Sequence, residues 1–92
     1  MMAVTNAQNI INSINNCLSE CSCSGIITQG VVSYSDYNII VSFLNNVGLK
    51  KISGFPNQMF SNDNPKYLIL VFFNYRGQDI FLFAQAVKTN CS

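Results

Sequence analysis

Charge is what this chain has least of. Its 92 residues include five Lys or Arg and four Asp or Glu, so charged side chains make up 10% of the sequence, against roughly 25% in an ordinary globular domain. Histidine and tryptophan are absent. Without histidine the chain lacks the commonest general base, and the Ser–His and Cys–His nucleophile schemes are excluded. A net charge of +1 makes neither a basic clamp for nucleic acid nor an acidic mimic of one. Long apolar runs are missing too. The longest, residues 67–73, spans seven residues, where a membrane-crossing helix needs ~20. The N-terminus carries neither the basic nor the apolar region of a signal peptide. The expectation is a protein without membrane contact, cytoplasmic or packaged in a particle.

Amides and hydroxyls take the place of charge. Thirteen Asn and ten Ser are scattered along the chain rather than gathered in tracts, so this is not a low-complexity segment. With apolar types at 49%, disorder is disfavoured, since it needs low hydrophobicity and usually high charge. A chain of this length has room for one core, which predicts a single small domain over residues 1–92.

Residues 6–19 read as a helix. Ile10, Ile11, Ile14, Cys17 and Leu18 recur on one stripe, with Thr5 or Asn6 available as a cap. Residues 26–34 are β-branched and aromatic and read as a strand, with Gly30 as a weak point or bulge. Residues 37–47 fit either a helix, with Tyr37, Ile40, Val41, Leu44 and Val47 on one face, or an alternating strand. A cap at Ser35 or Asp36 and a stop at Gly48 favour the helix. Residues 49–55 suggest a short strand and residues 56–65 a polar loop. The predicted class is α+β: an N-terminal helix, a second helix, and an antiparallel sheet built on a C-terminal β-hairpin.

That hairpin carries the strongest functional signal. Residues 66–74 and 78–87 flank Asn74-Tyr75-Arg76-Gly77, which suits a type I turn closed by a Gly bulge. Pairing Phe73 with Asp79 puts Leu68, Leu70, Phe72, Ile80, Leu82, Ala84 and Ala86 on one face. Tyr67, Ile69, Val71, Phe73, Phe81, Phe83 and Val87 fall on the other. Both faces are apolar, whereas a hairpin with one wet face alternates apolar and polar residues. Two helices can cover one face, and little chain remains for the second. The pattern predicts a homo-oligomer, most simply a two-fold dimer, with Tyr67, Ile69, Val71, Phe73, Phe81 and Phe83 at its interface. The competing reading is a twisted sheet curled on its own core, with one helix on each side. Phe55 and Phe60, near Pro56 and Met59, are further candidates for an interaction surface with an unidentified protein partner, or for a loop folded back on the core.

Cys17, Cys21, Cys23 and Cys91 form a C-x3-C-x-C cluster and one distant partner. This is not the usual spacing of zinc knuckles, and no histidine can complete a set. A disulfide from Cys91 to Cys21 or Cys23 would close a long loop, and free thiols with Cys17 on the packed stripe are the plainer reading. The carboxylates Glu20, Asp36, Asp63 and Asp79 are isolated, and the glycines form no phosphate-binding motif. No catalytic residue, metal or cofactor is expected, and an enzyme is disfavoured. The order helix, strand, helix, hairpin is compatible with a winged-helix unit of weak nucleic-acid-binding or transcription-regulatory type. Its contacts would be Lys50, Lys51, Lys66, Arg76 and Lys88, whose plainer role is solvation, so nucleic acid is a disfavoured partner. The leading expectation is a non-catalytic, self-associating structural or adaptor protein.

Overall fold

A computed structural model describes residues 7–20, 23–64 and 67–88. The elements follow the chain as α1 (Ala7–Glu20), β1 (Gly25–Val32), α2 (Tyr34–Asn46), β2 (Lys50–Ser53), β3 (Asn57–Ser61), β4 (Tyr67–Arg76) and β5 (Asp79–Lys88). The α+β architecture expected from the sequence is present, and residues 37–47 lie in or at the end of a helix. The five strands form one sheet in the order β1-β5-β4-β3-β2, with every pairing antiparallel. Strands β2 to β5 are a meander, and β1 adds beside β5. Helix α2 therefore connects the two opposite edges of the sheet.

Each helix forms because its apolar residues share a face. In α1, Ile10, Ile14 and Cys17 are buried at i, i+4 and i+7, and the asparagines look outward. In α2, Tyr37, Ile40 and Leu44 do the same. Its cap is Ser33, two or three residues earlier than the sequence suggests, with the hydroxyl accepting from the Asp36 backbone N–H at 3.1 Å. The C-terminus closes as a Schellman turn. The Leu49 N–H donates to the Leu44 carbonyl at 2.9 Å and the Gly48 N–H to the Asn45 carbonyl at 3.3 Å. Gly48 takes the left-handed conformation that this turn requires (φ 93°).

Both helices contribute to a single core against one face of the sheet, which disposes of the alternative with one helix on each side. The sheet residues in that core are Val32, Phe60, Tyr67, Ile69, Val71, Phe73, Ile80, Leu82, Ala84 and Ala86. Among the described residues, no helix is long and apolar enough to cross a membrane.

Four sequence expectations need correction. The hairpin does not turn at Asn74-Tyr75-Arg76-Gly77. Arg76 pairs with Asp79, so the turn is the two residues Gly77-Gln78, with Gly77 at φ 67°, as a tight primed turn demands. Phe73 consequently pairs with Leu82 rather than Asp79. That displacement is odd, so it exchanges the faces of one strand relative to the other. Secondly, the bulge in β1 lies at Ile27, between Ile26 and Thr28, and not at Gly30. Thirdly, residues 56–65 are not all loop: Asn57–Ser61 is strand β3, paired with both β2 and β4. Beside it, Asn62 acts as a strand mimic. Its side-chain amide donates to the Tyr67 carbonyl at 2.8 Å and accepts from the Ile69 N–H at 2.7 Å.

The fourth correction concerns cysteine. Cys17 is bonded to Cys23, tying the last turn of α1 to the approach to β1. Cys17 is neither a free thiol nor a zinc thiolate, and Cys23 is not the partner of Cys91. Cys21 and Cys91 lie outside the described residues, as do the proposed caps Thr5 and Asn6.

Three measurements check this fold. Phe73 is fully buried, so Phe73→Ala should cost about 3–5 kcal/mol in urea unfolding; a cost below ~1.5 kcal/mol would return Phe73 to an outer face. The Cys17–Cys23 link closes a short loop, with a sequence separation of 6, worth about 2 kcal/mol on the chain-entropy model. Reduction should lower the melting temperature by about 8–16 °C, at ~4–8 °C per kcal/mol for a domain of this size. Peptide mapping under non-reducing conditions should recover Cys17 joined to Cys23.

Candidate functional site

Two surfaces stand out, one on each side of the sheet. The first is the face that the helices leave uncovered. Register places Leu68, Leu70 and Phe72 of β4 beside Phe81, Phe83 and Val87 of β5. Ile26 and Val31 of β1 extend the patch on one flank and Met59 of β3 on the other. Phe72 and Phe83 pair across the strands, their rings tilted by 48° with centroids 6.2 Å apart. Leu68, Leu70, Phe72 and Phe83 are half-buried, and three of the set are exposed. Phe81 is 39% exposed, Val87 37% and Ile26 58%. Polar groups appear toward the margins at Gln29, Ser61 and the hydrogen-bonded pair Asn57 and Asn74, while Gln85 lies within the patch, between Phe83 and Val87 on β5 and flanked by Leu70 and Ile26.

The interface residues expected from sequence are therefore divided. Tyr67, Ile69, Val71 and Phe73 lie in the core beneath the helices, and Phe60 lies there with them. Phe81 and Phe83 are on the uncovered face. The places expected for Tyr67, Ile69, Val71 and Phe73 are taken by Leu68, Leu70 and Phe72. The physical cause is the odd register displacement at the Gly77-Gln78 turn. The strand period alone gave each strand two apolar faces, and only the pairing decides which of them join.

The second surface is a cleft of about 320 Å³ on the helix side, between α2 and the β2–β3 edge. Helix α2 lends Tyr37, Val41 and Asn45, spaced at i, i+4 and i+8. Opposite them are Lys51 of β2, Phe55, and Gln58 and Phe60 of β3. Lys51 reaches this side because it pairs with Phe60, whereas Lys50 pairs with Ser61 and belongs to the other face. Phe55 stands at the rim, 53% exposed, packed on Tyr75 with ring centroids 4.4 Å apart. Tyr37 is the hub, meeting Phe73 edge-on at 4.8 Å and lying 5.9 Å from Tyr34.

At the floor of the cleft sits Gln58, a buried polar side chain only 3% exposed. Its Oε1 accepts a 2.6 Å hydrogen bond from Tyr37 Oη. Burial raises the Tyr37 pKa above its ordinary value, and the neighbouring Tyr34 adds to the rise. Gln58 opposes it, since its amide can turn an N–H toward a phenolate. Burial also raises Tyr75. Tyr67 is raised by burial too, with partial opposition from the Cys23 backbone, although its hydroxyl has no hydrogen bond of normal geometry. Gln58 escaped the sequence reading because it fell within an expected loop. Gln-Met-Phe offers no polar–apolar alternation to mark Gln58 as inward.

The remaining candidates are scattered. Arg76 is exposed at the hairpin tip, and Lys50 and Lys51 lie on the β2 edge. Through β3, Lys50 aligns with Leu70, so Arg76 lies about 20 Å further along β4 at ~3.3 Å per residue. Lys66 is outside the described residues, and Lys88 is in β5 with its side chain undescribed. Of the carboxylates, Asp36 sits in the first turn of α2 and Asp79 opens β5, while Asp63 follows β3 and Glu20 ends α1.

Replacing Tyr37 by Phe leaves the buried Gln58 oxygen without its donor and should cost about 1–3 kcal/mol. The raised tyrosine values also set a pH dependence. Where the folded pKa exceeds the unfolded one, the stabilisation is whole below about pH 10 and is lost as pH rises through the folded value. Unfolding midpoints should therefore fall above about pH 10, and less steeply in Tyr37→Phe. A tyrosinate absorbance titration of both proteins checks this.

Comparison with protein-family models, with curated proteins and with solved structures finds no match to this chain.

Proposed function

We propose that this is a non-catalytic, self-associating structural or adaptor protein whose working surface is the uncovered sheet face. Its first partner is a second copy of the chain. The observation that carries this reading is the six-residue apolar patch of Leu68, Leu70, Phe72, Phe81, Phe83 and Val87, which nothing in the chain's helix layer covers.

Area supports a second copy as the occupant. Each strand residue covers about 16 Å² of sheet, from ~3.4 Å of rise and ~4.8 Å of spacing. On that basis, the five strands present roughly 600 Å² of projected face. Two such faces bury about 1,200 Å², the lower bound of stable protein–protein interfaces. The patch is apolar around Phe72 and Phe83, and the one amide within it, Gln85, can pair with its own copy across a two-fold contact. Charge supports it by its scarcity, because two copies bring almost no like charge to the contact; of the basic residues considered above, Lys50 and Arg76 fall at its borders. A two-fold axis through the sheet would set Phe72 and Phe83 of one copy near the same residues of the other, an isologous contact that closes at two.

The Cys17–Cys23 bond favours an oxidised setting, such as the interior of a packaged particle, over a reducing cytosol. Helix α2 carries no Lys or Arg to offer a groove, which ranks the nucleic-acid alternative second.

Sedimentation or multi-angle light scattering at tens of micromolar should give about twice the 10.2 kDa chain mass. Phe83→Lys should return a folded monomer with unchanged far-ultraviolet circular dichroism. A wild-type monomer at that concentration contradicts the proposal.

A further inference from the structure

We propose that the cleft between α2 and the β2–β3 edge is a binding site for a small planar aromatic carboxylate. The ring would enter between Phe55 and the Tyr37–Phe60 wall, and the carboxylate would meet the Lys51 ammonium.

Four observations converge on this chemistry. The volume of about 320 Å³ falls at the lower end of small-ligand sites, which sets the size at one or two fused rings. Three aromatic side chains line the cleft, and offset or edge-on ring contacts suit them better than an aliphatic chain does. Phe55 is packed by Tyr75 yet left 53% exposed, so it offers ring surface at the rim. Among the described residues, Lys51 is the one charged residue in the wall, and no carboxylate lines the cleft to neutralise it. An anionic group is thus matched by charge, and a cationic one is opposed.

Gln58 supplies the polar floor. Because its Oε1 is held by Tyr37 Oη, the group it retains for a ligand is the amide NH2, a donor. Donor and cation together select an acceptor anion. Position is fixed in advance. Tyr37 and Gln58 are both buried and hydrogen-bonded to each other, so the site needs no rearrangement of its floor. The cleft opens on the helix side of the sheet, so its occupancy is independent of whether copies associate through the opposite face.

The test is an amide-resolved NMR titration of the full chain with 2-naphthoate, with 2-naphthylmethanol as the neutral probe of the same shape. Naphthoate should give saturable shifts at residues of the cleft, with a Kd on the order of 1 mM or tighter. The alcohol should bind about 10-fold more weakly, the low end for one charge-assisted contact. Lys51→Gln should reduce naphthoate to the level of the alcohol, and Lys50→Gln, on the other face, should leave it unchanged. Phe55→Ala should weaken both probes together. Equal binding of acid and alcohol overturns the proposal. So does the absence of saturable shifts up to about 10 mM, or shifts confined to Phe72, Phe81 and Phe83.

Discussion

Everything in this domain hangs on the phase of one hairpin. A two-residue turn at Gly77-Gln78 sets Arg76 against Asp79 and thereby Phe73 against Leu82. Tyr67, Ile69, Val71 and Phe73 then share a face with Ile80, Leu82, Ala84 and Ala86, and this is the face the helices cover. Slipping the pairing by one residue would send one strand's set to the opposite side. With apolar residues on both faces of β4 and nearly so on β5, hydrophobicity alone cannot choose between registers. The choice falls to the left-handed conformation of Gly77, to β1 and β3 locking the hairpin from either side, and to shape. Ala84 and Ala86 are small enough to lie beneath a helix layer, while Phe81 and Phe83 are bulky and lie outside it.

From that phase follow the two surfaces. The outward set, Leu68, Leu70, Phe72, Phe81, Phe83 and Val87, becomes an apolar face that neither described helix covers. The inward set fixes Phe73, on which Tyr37 leans edge-on, and Tyr37 in turn holds Gln58 at the floor of the cleft. Among the described residues of a protein this short of charge, packing, the Cys17–Cys23 disulfide and amide hydrogen bonds contribute to stability. Asn62 shows how, completing the edge of β4 with a side chain where a strand would otherwise serve.

How much of this the sequence discloses depends on how local the signal is. The α1 stripe of Ile10, Ile14 and Cys17 is legible because one face is apolar and the other amide-rich. The helix over 34–46 is legible through its stop at Gly48, although the cap moves to Ser33, whose hydroxyl is indistinguishable by type from that of Ser35. Strand β3 is hidden because Asn57 and Ser61 bracket it with turn-forming residues, and its pairing with β2 and β4 is not a local property. The hairpin illustrates the same limit. Its existence and its two apolar faces are plain, yet two different turns around Gly77 satisfy the residues equally well. Cys17 was legible as buried but not as bonded, since its partner Cys23 lies past the helix end.

The central claim is that the outward face of β4 and β5 meets the same face of a second copy. Isotope-filtered NMR on an equal mixture of ¹³C-labelled and unlabelled chains reports contacts between copies alone. Association through this face should give intermolecular cross-peaks from the methyl groups of Leu68, Leu70 and Val87 to aromatic protons, and none from Ile10, Ile14, Ile40 or Ile69. Absence of intermolecular cross-peaks at millimolar concentration, or their origin in that second group, would contradict it.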